Sequence, residues 1–210
     1  MNILQIDCSP RPDSHSRRLS AAIVEKLFAI VPDTNMRLRD LGFDPIPHLS
    51  ADYAAVLATP ESLAAADPAS DALLLSEQLI QEVEDAGVVV IGTPMNNFTL
   101  PSVLKAWIDQ ILRVNRTIKS MPGGKVGMLQ DRPVFVGIAS GGVFAGEGAN
   151  QDDFLTPYLS AALGCIGLKT VHFLPLQGTA FMGEVRIAEM TRSLVDTIEP
   201  AMLSPVLDLV

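Results

Sequence analysis

Short runs of consecutive apolar residues alternate along the chain with segments whose apolar positions recur every three to four residues. Ile3, Leu4 and Ile6 make the first run, which ends at the turn segment CSPRPDS. From Ser14 onward Leu19, Ile23, Leu27 and Ile30 keep helical spacing, with Ser14 suited to the N-cap. MRLRDL (36–41) alternates polar and apolar residues as an outer strand does, and GFDPIPH breaks the pattern at Gly42, Pro45 and Pro47. Residues 50–68 are Ala-rich, punctuated by Pro60 and Pro68, and read as short helices or loop. The next helix carries Ala72, Leu75, Leu79, Val83 and Ala86 on one face, and VVVIG (88–92) then runs apolar throughout, as a central strand covered on both faces does. PSVLKAWIDQIL (101–112) reads as a helix with Pro101 in its first turn and Leu104, Trp107, Ile108 and Ile111 as its stripe. After the Gly-rich stretch 120–129 come a strand over 133–140, a helix over 152–166, a strand over 170–176 and a last helix over 183–198.

Five strands, each followed by helical material and with no internal repeat or linker, predict an α/β fold: a parallel sheet with helices on both faces. With five strands the expected order is 2-1-3-4-5, the flavodoxin-like arrangement. The 210 residues are expected to form one domain, 1–210.

Composition narrows the function. Hydrophobic residues at 48% against 19% charged exclude a disordered chain. Fifteen Lys and Arg against 24 Asp and Glu leave a net charge of −9, which disfavours nucleic acid as a partner because such binding rests on phosphate neutralisation. No run reaches the roughly 18 to 20 apolar residues of a membrane span, and the N-terminus shows no signal-peptide pattern. Cys8 and Cys165 make no disulfide framework and, with three scattered histidines, no metal motif; a reducing, cytoplasmic setting is expected.

In such a sheet, ligands bind beyond the carboxyl ends of the strands. Three segments fall there. The first places Ser9, Ser14, His15 and Ser16 around a turn that opens a helix, where hydroxyls and free N–H groups suit a phosphate and Arg11 and Arg17 could add charge; alternatively Ser14 only caps the helix and the others are turn residues. In the second, Thr93-Pro94-Met95-Asn96-Asn97-Phe98 runs from a buried strand into amides and an aromatic, which suits a planar heterocycle; alternatively an Asn caps the next helix and Phe98 packs into the core. In the third, Ser140-Gly141-Gly142 lets backbone approach a ligand, or is a plain turn. Cys8 reads as a small buried hydrophobe and His172 as structural. GxGxxG, GxxxxGK[ST] and GxSxG are absent, and no carboxylate pair is spaced for acid–base work. A site without its own acid, base or nucleophile points to a cofactor that carries the reaction.

The segments ILQIDCSPRPDSHSR, GTPMNNFTLPSVLKAWID, RPVFVGIASGG and DFLTPYLSAALGCIGLKTVHFLPLQG together resemble the FMN-dependent NADH-azoreductases, also described as quinone reductases, among the flavodoxin-like NAD(P)H:quinone oxidoreductases. The resemblance implies a homodimer with one FMN per subunit and a ping-pong, two-electron transfer through FMN N5, from NADH or NADPH to a quinone, azo or nitroaromatic acceptor. It implies that Ser9, Ser14, His15 and Ser16 hold the FMN phosphate, that Met95, Asn96, Asn97 and Phe98 lie along the ring, and that Ala139, Ser140, Gly141 and Gly142 lie at its far side. Asn97 is expected to be the most influential side chain of the second segment. Asn96 stands where a Tyr is usual, and Ile118 where many members carry a Phe. Two other readings are a one-electron FMN carrier of the flavodoxin type and, ranked last, an acyl carrier protein phosphodiesterase, which would want a metal or a placed nucleophile.

Overall fold

The computed structural model describes residues 1–203 apart from 60, 61, 63, 64 and 68; Pro60 and Pro68, the expected breaks in the Ala-rich excursion, lie outside the described residues. Among the described residues, seven strands run in chain order: β1 (Asn2–Asp7), β2 (Asn35–Asp40), β3 (Val88–Pro94), β4 (Ile118–Met121), β5 (Gly124–Gly127), β6 (Val134–Ala139) and β7 (Val171–Leu176). The helices are α1 (His15–Ile30), α2 (Ala51–Leu57), α3 (Asp71–Asp85), α4 (Ser102–Ile111), α5 (Thr156–Ile166) and α6 (Glu184–Asp196).

Five strands form one sheet in the order β2-β1-β3-β6-β7, every neighbouring pair parallel. Numbered among themselves, they follow the expected 2-1-3-4-5. Because each crossover must carry the chain back along the sheet, helices cover both faces. Leu19, Ile23 and Leu27 of α1 and Ile187 and Val195 of α6 pack with Ile3, Val88, Val90 and Phe135 on one face. On the other, Leu79 and Val83 of α3, Leu104 and Trp107 of α4, and Leu159 and Leu163 of α5 pack with Leu4, Val89, Ile91 and Val136. Residues 88–91 alternate between these two cores and are all fully buried, which accounts for the unbroken apolar run. Trp107, the chain's single tryptophan, is fully buried, and its Nε1 has no partner among the described residues.

Three local differences have physical causes. The Gly-rich stretch is an antiparallel hairpin, β4–β5, paired from Ile118↔Gly127 to Met121↔Gly124. Only Ile118 of β4 is buried, so the hairpin lacks the one-sided alternation that marks a half-buried strand. The helix predicted from 152 begins at Thr156, because the Asp153 carboxylate takes the N–H groups of Leu155 and Thr156, each at 2.9 Å, and holds the preceding residues in a turn. Pro101 is the N-cap of α4 rather than its first helical residue.

Candidate functional site

A cavity of about 340 Å³ opens at the carboxyl end of the sheet. The β1–α1 loop lines it with Ser9, Pro10, Arg11, Ser14, His15 and Ser16; the segment after β3 adds Pro94, Met95 and Asn96; the end of β6 adds Ala139 and Gly141; and Thr179 follows β7. Of the twelve residues singled out from sequence, eight therefore line one cavity, and Asn97, Phe98, Ser140 and Gly142 do not. Two further depressions, between β1 and β2 near α3 and between α1 and α6, do not collect the strand ends.

One end of the cavity gathers hydroxyl and N–H donors. Ser14 caps α1, its Oγ accepting from the Arg17 N–H at 3.3 Å, and lies 3.3 Å from the Ser16 Oγ. Ser9 Oγ accepts from the Arg11 N–H at 3.3 Å. The N–H groups of His15 and Ser16 are the first two of the helix and find no backbone or side-chain acceptor among the described residues. Capping and cavity lining thus coincide in Ser14. The His15 ring meets an Arg18 nitrogen at 2.6 Å through Nδ1, and Arg18 reaches Glu184 of α6, also at 2.6 Å. Burial and the Arg18 charge hold His15 below the usual histidine range, which favours the neutral ring. Arg11 lines the cavity with an exposed side chain. Arg17 does not line it, contrary to the charge expected of it: its guanidinium turns to Asp40, at 2.8 Å, and stacks 4.4 Å from the Phe43 ring.

The opposite wall is shaped by turn geometry. Asn96 and Thr99 exchange N–H···O bonds of 2.8 and 3.0 Å around Asn97 (φ 48°) and Phe98 (φ 72°). Two positive φ values at the centre of a two-residue loop match a type I′ turn. Asn tolerates that region; a bulky Phe there is strained. The Phe98 carbonyl accepts from the Phe154 N–H at 3.0 Å, and the Phe98 side chain is half-exposed. Neither alternative for this segment is observed: α4 has no side-chain cap, and Phe98 lies outside the core.

Behind the wall, Gln151 Nε2 donates to Ser140 Oγ at 2.9 Å and to Met95 Sδ at 3.1 Å. A Cβ on Gly142 would stand 2.6 Å from Gln151 Oε1, so any larger residue there would push the Gln151 amide aside. The N–H and the hydroxyl of Thr179 both reach the Ser140 carbonyl at 3.0 Å. Ser140 and Gly142 thus sit one layer behind the lining. Cys8 is buried, and burial pushes its thiol far above the usual range. His172 stacks on Phe135 with ring centroids 5.0 Å apart, and Ile118 packs in the core. Sequence reasoning missed Thr179 and Gln151. Applying the strand-end rule to β7 as well would have found Thr179, three residues beyond that strand; Gln151 gave no such signal.

A family model described as a flavodoxin-like fold matches residues 1–198. Over 186 residues the chain is 47% identical to the FMN-dependent NADH:quinone oxidoreductase 4 of Pseudomonas fluorescens, covering 87% of each. Over 181 residues it is 46% identical to the FMN-dependent NADH:quinone oxidoreductase 5 of Burkholderia lata, covering 85% of this chain and 86% of the other. Among solved structures, an FMN-dependent NADH-azoreductase from Bacillus anthracis in complex with FMN superposes with a TM-score of 0.77 at 21% identity, covering 98% of this chain and 99% of that one, and shares the fold. The doubly wound sheet and the two close relatives lead to one conclusion: this chain is a member of the flavodoxin-like family and, within it, of the FMN-dependent NADH:quinone oxidoreductases.

Proposed function

We propose that this chain is an FMN-dependent NAD(P)H oxidoreductase that reduces quinones and azo compounds, with nitroaromatics as further acceptors. The observation that carries the reading is the meeting, in one cavity, of a donor-rich helix N-terminus with a wall of strand-end residues. The donor set fits a phosphomonoester: hydroxyls of Ser9, Ser14 and Ser16, free N–H groups of His15 and Ser16, and Arg11 at the rim. The wall formed by Pro94, Met95, Asn96, Ala139 and Gly141 has few charges and fits a flat ring with hydrogen-bonding edges.

When bound, FMN supplies two-electron transfer between a nicotinamide and an acceptor. The chain's own residues bind and orient. The first-turn N–H groups and hydroxyls would hold the phosphate, and Met95 and Asn96 would flank the ring. Gln151, through Met95 and Ser140, sets the position of that wall. Asn97 and Phe98 hold the turn that presents Asn96.

The same reading places residues 1–210 in one domain, gives the protein a cytoplasmic setting and makes it a homodimer. Among the described residues no helix is long and apolar enough to cross a membrane. Phe98, Phe154 and Phe181 expose 48%, 58% and 82% of their surface on segments that flank the cavity, an apolar rim that a second subunit would cover. The test is an anaerobic absorbance titration of the FMN-loaded protein with NADH, then with a benzoquinone. Bleaching by NADH and recovery on quinone is the expected result. Bound flavin that neither NADH nor NADPH bleaches would instead favour a one-electron carrier, and absence of flavin binding would overturn the reading. Sedimentation should give the mass of two chains.

A further inference from the structure

Arg17 lies one residue beyond the donor cluster, in the first turn of α1, yet its side chain points away from the cavity. Its Nε–H donates to the Ser9 carbonyl at 2.8 Å. Its Nη1 reaches Asp40 Oδ2 at 2.8 Å and lies 3.6 Å from the buried Asp7 carboxylate. Its planar face covers the Phe43 ring. The side chain is only 11% exposed. The guanidinium is thus fixed on three sides, and its remaining fixed partner is the peptide that carries Ser9.

The same peptide is also hemmed in beside Arg17 by the turn after β2. Gly42 packs so closely that a Cβ there would stand 2.1 Å from the Ser9 carbonyl oxygen. The Gly42 N–H is held by the Asp7 carbonyl and by Asp40 Oδ1, both at 3.1 Å, and the Phe43 N–H donates to the same Asp40 oxygen at 3.0 Å. The end of β2 and the turn after it therefore form a bracket, with Arg17 as its pin, around the residue whose hydroxyl lines the anion end of the cavity.

We propose that Arg17 is a positioning residue for the anion end: by holding the Ser9 carbonyl from behind, it aims the Ser9 hydroxyl at the phosphate without touching it. The inference rests on the reading of the cavity as an FMN site. It separates two roles that a basic residue beside a phosphate loop can play. A charge acting through space would be kept by lysine. A fork that bonds Asp40 with one edge and Ser9 through Nε would not, because a single ammonium cannot reproduce two bonds in one plane.

Flavin-free full-length protein is titrated with FMN and with riboflavin, which lacks the phosphate, by quenching of flavin fluorescence. Wild type, Arg17→Lys, Arg17→Gln and Asp40→Asn are compared, with thermal unfolding of each flavin-free form as the control for folding. The wild type is expected to prefer FMN. Both Arg17 variants should lose about tenfold of that preference, the size of one charge-assisted hydrogen bond, while riboflavin affinity hardly moves. Asp40→Asn leaves Arg17 in place but loosens the fork; it should shift the preference in the same direction by less, and it decides the matter if the Arg17 variants do not fold. Full retention of the preference in Arg17→Lys overturns the inference, since charge alone would then suffice. An equal fall for both ligands also overturns it, because that marks general loss of the cavity. A wild type that binds both flavins equally overturns the reading of the anion end itself, and the role of Arg17 with it.

Discussion

Asn97 and Phe98 show how much a single backbone angle can decide. Both sit at positive φ in a two-residue loop, and only Asn among them is suited to that region. Asn97→Gly should leave stability within about 0.5 kcal/mol, because glycine adopts this conformation freely. Asn97→Val should cost about 1–2 kcal/mol, since a β-branched residue meets the full left-handed penalty. Urea unfolding of the two variants checks both values. An Asn97→Ala variant with unchanged FMN affinity and turnover would remove the role expected for that side chain. At this scale the residue types were legible and their directions were not. Ser9, Ser14 and Ser16 could be placed because strand ends and helix starts follow simple rules. Arg17 could not: its choice of Asp40, 23 positions away, over a nearby anion is set by the packing of β2 beside β1.

Elements were legible wherever burial was one-sided or complete. The run 88–92 and the stripe of α4 show their burial directly in the sequence. Hairpin β4–β5 hides, because exposed residues on both sides leave no hydrophobic period to detect. The ends of elements depend on single side chains, as at Asp153. Asp131 does the same at the amino end of the strands, opposite the cavity and just ahead of β6. Its carboxylate takes the N–H groups of Lys169 at 2.7 Å and Thr170 at 3.1 Å, and the Thr170 hydroxyl at 2.8 Å, which ties the start of β7 to β6. Burial pushes this carboxyl up, but the N–H donors of Thr170, Lys169 and Arg132 outweigh it and bring the pKa below the ordinary 3.8. A depressed carboxyl stabilises the fold fully above its ordinary value, and that contribution is lost as pH falls from 3.8 through the lower folded value. Asp131→Asn should therefore cost about 1–2 kcal/mol at neutral pH and flatten the acid limb of the stability curve. Flavin binding should stay unchanged, because the cavity lies at the other end of these strands. Stability against pH, with and without the substitution, tests this.

Across the whole molecule, two separate cores share one sheet, and each connection between consecutive strands of that sheet passes through at least one helix. That economy made the architecture readable from alternation alone. It also concentrates the site where four of the five strands deliver their loops, so residues far apart in sequence, Ser9 and Thr179, line one cavity. The two layers differ in one respect that matters to anyone who handles the protein. All of its indole emission comes from Trp107, deep in the layer of α3, α4 and α5, fully buried and, among the described residues, without a hydrogen-bond acceptor. Such a ring emits toward the blue and resists soluble quenchers, so a red shift reports the opening of that layer alone. If both layers melt together, the shift and the loss of helical circular dichroism should share one midpoint. A flavin in the cavity absorbs where the indole emits, so loading dims the native glow. The chain thus carries its own optical gauge, able to register both cofactor occupancy and the integrity of one half of the fold without any added dye.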